Sequence, residues 1–167
     1  MIIKALEDEN FTNFKLPAMF IGMPYCTFKC CKEQGIPIEI CQNCDLMKAP
    51  SIEVSVETLI HRYFTNPISQ AVVFGGMEPL DSWNDLSEFI TKFRERSMDP
   101  IVIYTGYTES ELTLEQVKTF TEYPRIIIKF GRFIPGHRPH YDPVLGIRLA
   151  SDNQYGKDFG EGVKYES

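Results

Sequence analysis

The chain has 167 residues, 43% of them hydrophobic, which suits one domain with its own core and excludes wholesale disorder. A formal net charge of −6 argues against nucleic acid as the main partner, because phosphate binding needs a basic face. No apolar run is long enough to span a membrane, and the N-terminal "MIIKALEDEN" turns acidic before a signal-peptide core could form, so a cytoplasmic protein is expected.

The first clear element is "AMFIGM" (18–23), a continuous apolar run that reads as a strand covered on both faces. The segment "MPYCTFKCCKEQGIPIEICQNCDL" (23–46) follows it and holds all five cysteines. "SVETLIHRYF" (55–64) reads as a helix capped by Ser55. "AVVF" (71–74) is a second buried strand, and it runs into Gly75-Gly76-Met77-Glu78-Pro79. "DSWNDLSEFITKFRERS" (81–97) puts Trp83, Leu86, Phe89, Ile90 and Phe93 on one helical face, with Asp81 or Ser82 as the N-cap. "IVIYT" (101–105) is a third strand. "TLEQVKTFTEY" (113–123) opens with Thr113 and has Gln116 three residues on, the signature of a capping box. "RIIIKF" (125–130) is a fourth strand, and "FIPGHRPHYDPVLG" (133–146) is a surface loop before a last strand near "VLGIRLA". From Ala71 the alternation repeats at about thirty residues, the length of a βα unit. We therefore predict a single α/β domain over residues 1–167. Its sheet is mostly parallel and forms a partial (βα) barrel, because the chain is too short for a full eight-stranded one.

The cysteines are spaced Cys26-x3-Cys30, adjacent Cys31, ten residues to Cys41, then Cys41-x2-Cys44. In a reducing compartment an odd number of clustered thiols points to metal or redox chemistry rather than disulfides. A loop with no metal, structural zinc held by two Cys pairs, and an iron–sulfur cluster all compete here. Spacing alone does not separate the last two. The loop follows a parallel strand, so its thiols lie at the sheet's C-terminal rim, where α/β folds place their sites. The Gly75-Gly76 turn lies on the same rim one strand over, and glycines there let the backbone approach a ligand closely. Thr105 and Tyr107 fall just past another strand end. His137 and His140 read as solvated loop residues, and His61 as a helix surface residue. No G-x-S-x-G, H-E-x-x-H or Walker P-loop is present.

Five separate places carry a resemblance that covers residues 18–154. These are Cys41-Gln42-Asn43 in the cysteine loop, "GGMEPL" from Gly75, "TGYT" from Thr105, "FGRF" from Phe130, and Ser151-Asp152-Asn153-Gln154. Together they resemble the small activating enzymes of anaerobic (class III) ribonucleotide reductase, within the radical S-adenosylmethionine (SAM) superfamily. Three departures stand out. The gap between Cys30 and Cys41 is ten residues where the common pattern has two, Met77 replaces a glycine, and Phe130 replaces an acid.

The resemblance implies a 4Fe-4S cluster held by Cys26, Cys30 and Cys41. Cys44 is the alternative ligand, in a Cys26-x14-Cys41-x2-Cys44 spacing similar to that of some 7-carboxy-7-deazaguanine synthases. It implies SAM contacts from Asn43, Gly75, Gly76, Met77, Glu78 and Thr105. It also implies a glycyl radical made on the anaerobic ribonucleotide reductase large subunit, with electrons from a flavodoxin-like or other one-electron donor. The alternatives are a stand-alone radical SAM enzyme acting on a small substrate, and a non-catalytic zinc or iron–sulfur interaction module.

Overall fold

The computed structural model describes residues 1–41 and 43–160. In chain order the strands are β1 (Ile2–Ile3), β2 (Ala5–Asn10), β3 (Ala18–Met23), β4 (Ile52–Glu53), β5 (Ala71–Gly76), β6 (Ile101–Tyr104), β7 (Ile126–Phe130), β8 (His140–Asp142), β9 (Ile147–Leu149) and β10 (Tyr155–Asp158). The helices are α1 (Lys29–Gln34), α2 (Cys44–Met47), α3 (Val56–Thr65), α4 (Trp83–Arg94) and α5 (Leu114–Glu122). Among the described residues the central sheet runs β10-β7-β6-β5-β3-β2. β3, β5, β6 and β7 are parallel neighbours, while β2 and β10 lie antiparallel at the two edges. The architecture is mixed α/β with a mostly parallel central sheet that keeps two edges.

Alternation along the strands sorts the core into two faces. Met19, Ile21, Val72, Phe74, Ile101, Ile103, Ile126 and Ile128 join one apolar cluster with residues of α3, α4 and α5. Within it Phe74 and Phe89 meet edge-on, with ring centroids 4.9 Å apart. Ala18, Ala71, Val73, Val102 and Ile127 face the other way and are covered by Phe14, Leu145 and Leu149. One register step further on, Gly22, Gly75, Tyr104 and Lys129 follow on that same face. There Ala5 and the Phe20 ring lie close against Gly22 and Gly75, which only residues without a Cβ allow.

The helix starts follow their sequence signals at two places. Ser55 Oγ accepts from Thr58 N at 3.0 Å. Thr113 and Gln116 make both capping-box bonds, at 3.0 and 3.1 Å. At α4 neither expected cap acts: Ser82 makes no side-chain cap bond, and a 3-10 turn over Pro79–Ser82 leads into the helix. Asp81 is turned to the cysteine loop instead. β9 lies where a strand near "VLGIRLA" was expected, and within the expected loop before it β8 forms and pairs with β9, Asp142 opposite Ile147. The strand that closes the sheet is β10, and its pairing with β7 includes Tyr155 opposite Phe130.

Candidate metal centre

A cavity of about 490 Å3 opens at the C-terminal ends of the parallel strands. Its wall includes Cys26, Cys30, Cys31, Cys41 and Asn43 from the cysteine loop. It also includes Gly75, Gly76, Met77, Glu78 and Thr105 from the strand ends, and Tyr104 and Lys129 from the sheet face. Cys44 is not among the described residues of that wall.

Backbone pairing past the strand ends sets where the first thiol goes. Met77 N donates to Met23 O at 3.2 Å, and Glu78 N to Tyr25 O at 2.9 Å. Thr27 N then donates to Asp81 Oδ2 at 2.9 Å, so Cys26 is held between two anchored neighbours. Its Sγ accepts from Phe28 N at 3.2 Å. Phe28 takes the left-handed conformation, φ 57°, and starts α1, which carries Cys30 and Cys31. Such a conformation is uncommon outside glycine and turns the chain sharply.

Two side chains tie α1 to the segment after β7. Gln34 Nε2 donates to Cys30 O and Phe133 O, each at 3.0 Å. Arg132 binds Glu111 with both carboxylate oxygens, at 2.6 and 2.8 Å, and reaches Glu33 of α1 at 3.1 Å. The same arginine donates to Gly106 O at 3.2 Å. Its own backbone carbonyl accepts from Asn153 Nδ2 at 2.8 Å, and Gly131 O accepts from Gln154 Nε2 at 3.2 Å. The "FGRF" and Ser151–Gln154 segments therefore meet as one lock behind the cysteine helix.

Cys41 follows a 3-10 turn over Ile38–Ile40. Gln42 lies outside the described residues. Asn43 is exposed, makes no side-chain cap bond and precedes Cys44, the first residue of α2. The α2 segment rests on Gly76. With φ 76°, that residue would bring a Cβ within 2.6 Å of Leu46 Cδ2 and 3.0 Å of Gly22 Cα. Only glycine fits there without displacing the loop.

Glu78 faces the cavity and accepts from Thr105 Oγ1 at 2.7 Å, Gly106 N at 2.8 Å and Leu80 N at 3.1 Å. Burial outweighs these bonds and pushes its carboxyl up to about 7. Lys129 is buried on the sheet face, where its Nζ donates to Gly131 O at 3.1 Å. Burial pulls it down to about 8, against the opposing pull of Glu78 and Cys30. The cavity thus holds an acid and a base whose charges suit a zwitterion. Lys129 and Arg132 were not singled out by the sequence reading. The signal for Lys129 was one cation at an inward position of an otherwise apolar strand.

Burial raises Cys26 to about 12, Cys31 to about 11, and Cys41 as well. These thiols stay protonated in the metal-free protein and lose their protons when a metal binds. Among the described residues no three Cys, His, Asp or Glu side chains gather round one point as ligands of a single ion do. An iron–sulfur cluster spreads its thiolates over different irons, and several thiols facing one cavity fit that need. The histidines stand elsewhere: His137 Nδ1 meets Asp152 at 2.8 Å, His140 Nε2 meets Gln154 O at 2.6 Å, and His61 is exposed on α3.

Among the described residues no helix is long and apolar enough to cross a membrane. Comparison with the curated proteins finds no match. A family model described as a 4Fe-4S single cluster domain matches residues 19–154. That span holds the whole cysteine loop, the Gly75-Gly76 turn and the Asn153-Gln154 lock. The chain belongs to this 4Fe-4S single cluster domain family, and the thiol-lined cavity at the strand ends is its candidate cluster site.

Proposed function

We propose that the chain is a radical SAM activase that makes a glycyl radical on an anaerobic ribonucleoside-triphosphate reductase. One observation carries this reading: the cysteine loop, the glycine–acid turn and Thr105 all border a single cavity. In this reading Cys26, Cys30 and Cys41 would hold a 4Fe-4S cluster, which when bound would supply the electron for reductive cleavage of SAM and so for removal of a hydrogen atom from the partner's glycine.

Cys26, Cys30 and Cys41 are the three ligands in this reading, as the Asn43 register of the resemblance has them; they border the cavity together with Cys31, and Cys44 is not among the described residues that do. Gly75, Gly76 and Met77 bring backbone close to the methionine end of SAM. Glu78, fixed by its three hydrogen bonds, receives the amino group. Lys129 supplies the cation for the carboxylate, which draws Lys129 toward its charged form. Asn43 and Thr105 complete the border. Ile38 and Ile40 are exposed next to Cys41, and Ile40 also lines the cavity. That apolar rim suits a protein partner that covers the mouth and keeps water from the radical. A flavodoxin-like or other one-electron donor completes the scheme.

The test is to reconstitute the protein anaerobically, reduce it, and mix it with SAM and candidate anaerobic reductases. A glycyl-radical EPR doublet on the partner is the expected result. A colourless zinc protein without acid-labile sulfide would sink this reading in favour of an interaction module. Turnover of a small substrate without any partner would favour the deazaguanine-synthase-like alternative.

A further inference from the structure

Cys31 is left over by the three-ligand scheme, yet its place is not that of a spare core residue. It is 2% exposed and belongs to neither described apolar cluster. A buried free cysteine usually packs as a small apolar side chain. This one lines the cavity beside Cys26, Cys30 and Cys41. It directly follows Cys30 in α1, and Cys41 borders the same cavity. Consecutive residues on a helix point about 100° apart, so Cys30 and Cys31 present their thiols from different directions. They fit two different irons of one cluster better than one iron.

We propose that Cys31 is an exchangeable fourth ligand, bound to the open iron in the absence of SAM and displaced when SAM takes that iron. This rests on the radical SAM reading. When Cys31 binds, its S–H bond breaks, the proton passes to water and an iron–sulfur bond forms. When SAM enters, that bond breaks and the thiolate takes up a proton. SAM's ammonium group releases one as its nitrogen binds iron, so the exchange is proton-neutral and needs no electrons. The consequence is a capped cluster at rest, with no iron open to water until the cosubstrate arrives.

The experiment compares wild type with C31A and C31S after anaerobic reconstitution with 57Fe. Mössbauer spectra are recorded with and without SAM, and SAM binding is measured by equilibrium dialysis. In wild type a distinct fourth iron should appear only when SAM is added. In C31A it should be present from the start and be lost on mild oxidation, giving a 3Fe-4S EPR signal. If the capped form holds about nine-tenths of the free protein, C31A binds SAM about tenfold more tightly. A wild-type spectrum that already shows the distinct iron without SAM overturns the proposal, and needs no variant to do so. Equal SAM affinity in wild type and C31A also overturns it, as does failure of both variants to hold a cluster while wild type does. If the iron spectrum responds to C31A but no form binds SAM, the Cys31 assignment stands and the radical reading falls.

Discussion

Glu78 shows at one residue how the cavity tunes its own chemistry. Its folded carboxyl is raised to about 7, whereas the ordinary value is 4.5. Between those values the folded protein binds a proton that the unfolded chain has released. This group's contribution to stability is therefore fully present below pH 4.5 and is lost as pH rises through about 7. We expect E78Q to flatten the fall in stability of the metal-free protein across that window, measured as urea midpoints at stepped pH. In the proposed function the same variant should also weaken SAM binding, because an amide oxygen accepts from the amino N–H groups more weakly than a carboxylate does. An unchanged slope would mean that Glu78 is not the group that titrates there. The sequence marked Glu78 through its glycine turn. It did not show that Thr105 and Gly106 would be its partners, since those contacts span 27 and 28 residues.

At the scale of elements, the cysteine helix is held more by its neighbours than by itself. α1 has six residues, too few to be stable alone. Arg132 bridges it to the turn after β6, and the pairing holds the Glu111 carboxyl at about 2. The arginine side chain is 11% exposed, so the bridge is better shielded than a surface ion pair. R132A should cost about 1–3 kcal/mol and speed amide exchange over residues 29–34 of the metal-free protein. R132K, which cannot hold Glu111 with two parallel bonds, should recover only part of the protection. Exchange unchanged in R132A would show that Gln34 and the loop backbone hold α1 without the arginine.

The strands that sequence periodicity found are the ones buried on both faces, where apolar runs are continuous. β2 and β10 escaped because they are edge strands. "ALEDEN" is acidic and mostly half-exposed, and β10 has no fully buried residue. Their place in the sheet comes from their partners, β3 for β2 and β7 for β10, rather than from their own pattern. Asp81 was read as a helix cap. It serves the cysteine loop instead, through Thr27 N and a bond from Tyr107 OH, a choice that only the tertiary arrangement makes.

Across the whole molecule, the parallel core acts as a platform with a filled half and an empty half. Val73, Val102 and Ile127 fill the face below the cavity, and Gly75, Tyr104 and Lys129 open it above. The positions of the thiols along the chain were legible because they lie in one loop after one strand. Which thiols share a cavity was not, because the insertion between Cys30 and Cys41 folds into α1 and a 3-10 turn that sequence spacing does not predict.

In the proposed function Cys26, Cys30 and Cys41 hold a cluster in this cavity. This is tested most directly by counting iron and acid-labile sulfide after anaerobic reconstitution of the five single Cys→Ala variants. C26A, C30A and C41A are expected to lose the cluster, while C31A and C44A keep it. Loss in C44A together with retention in C30A would contradict it and make Cys26, Cys41 and Cys44 the ligands.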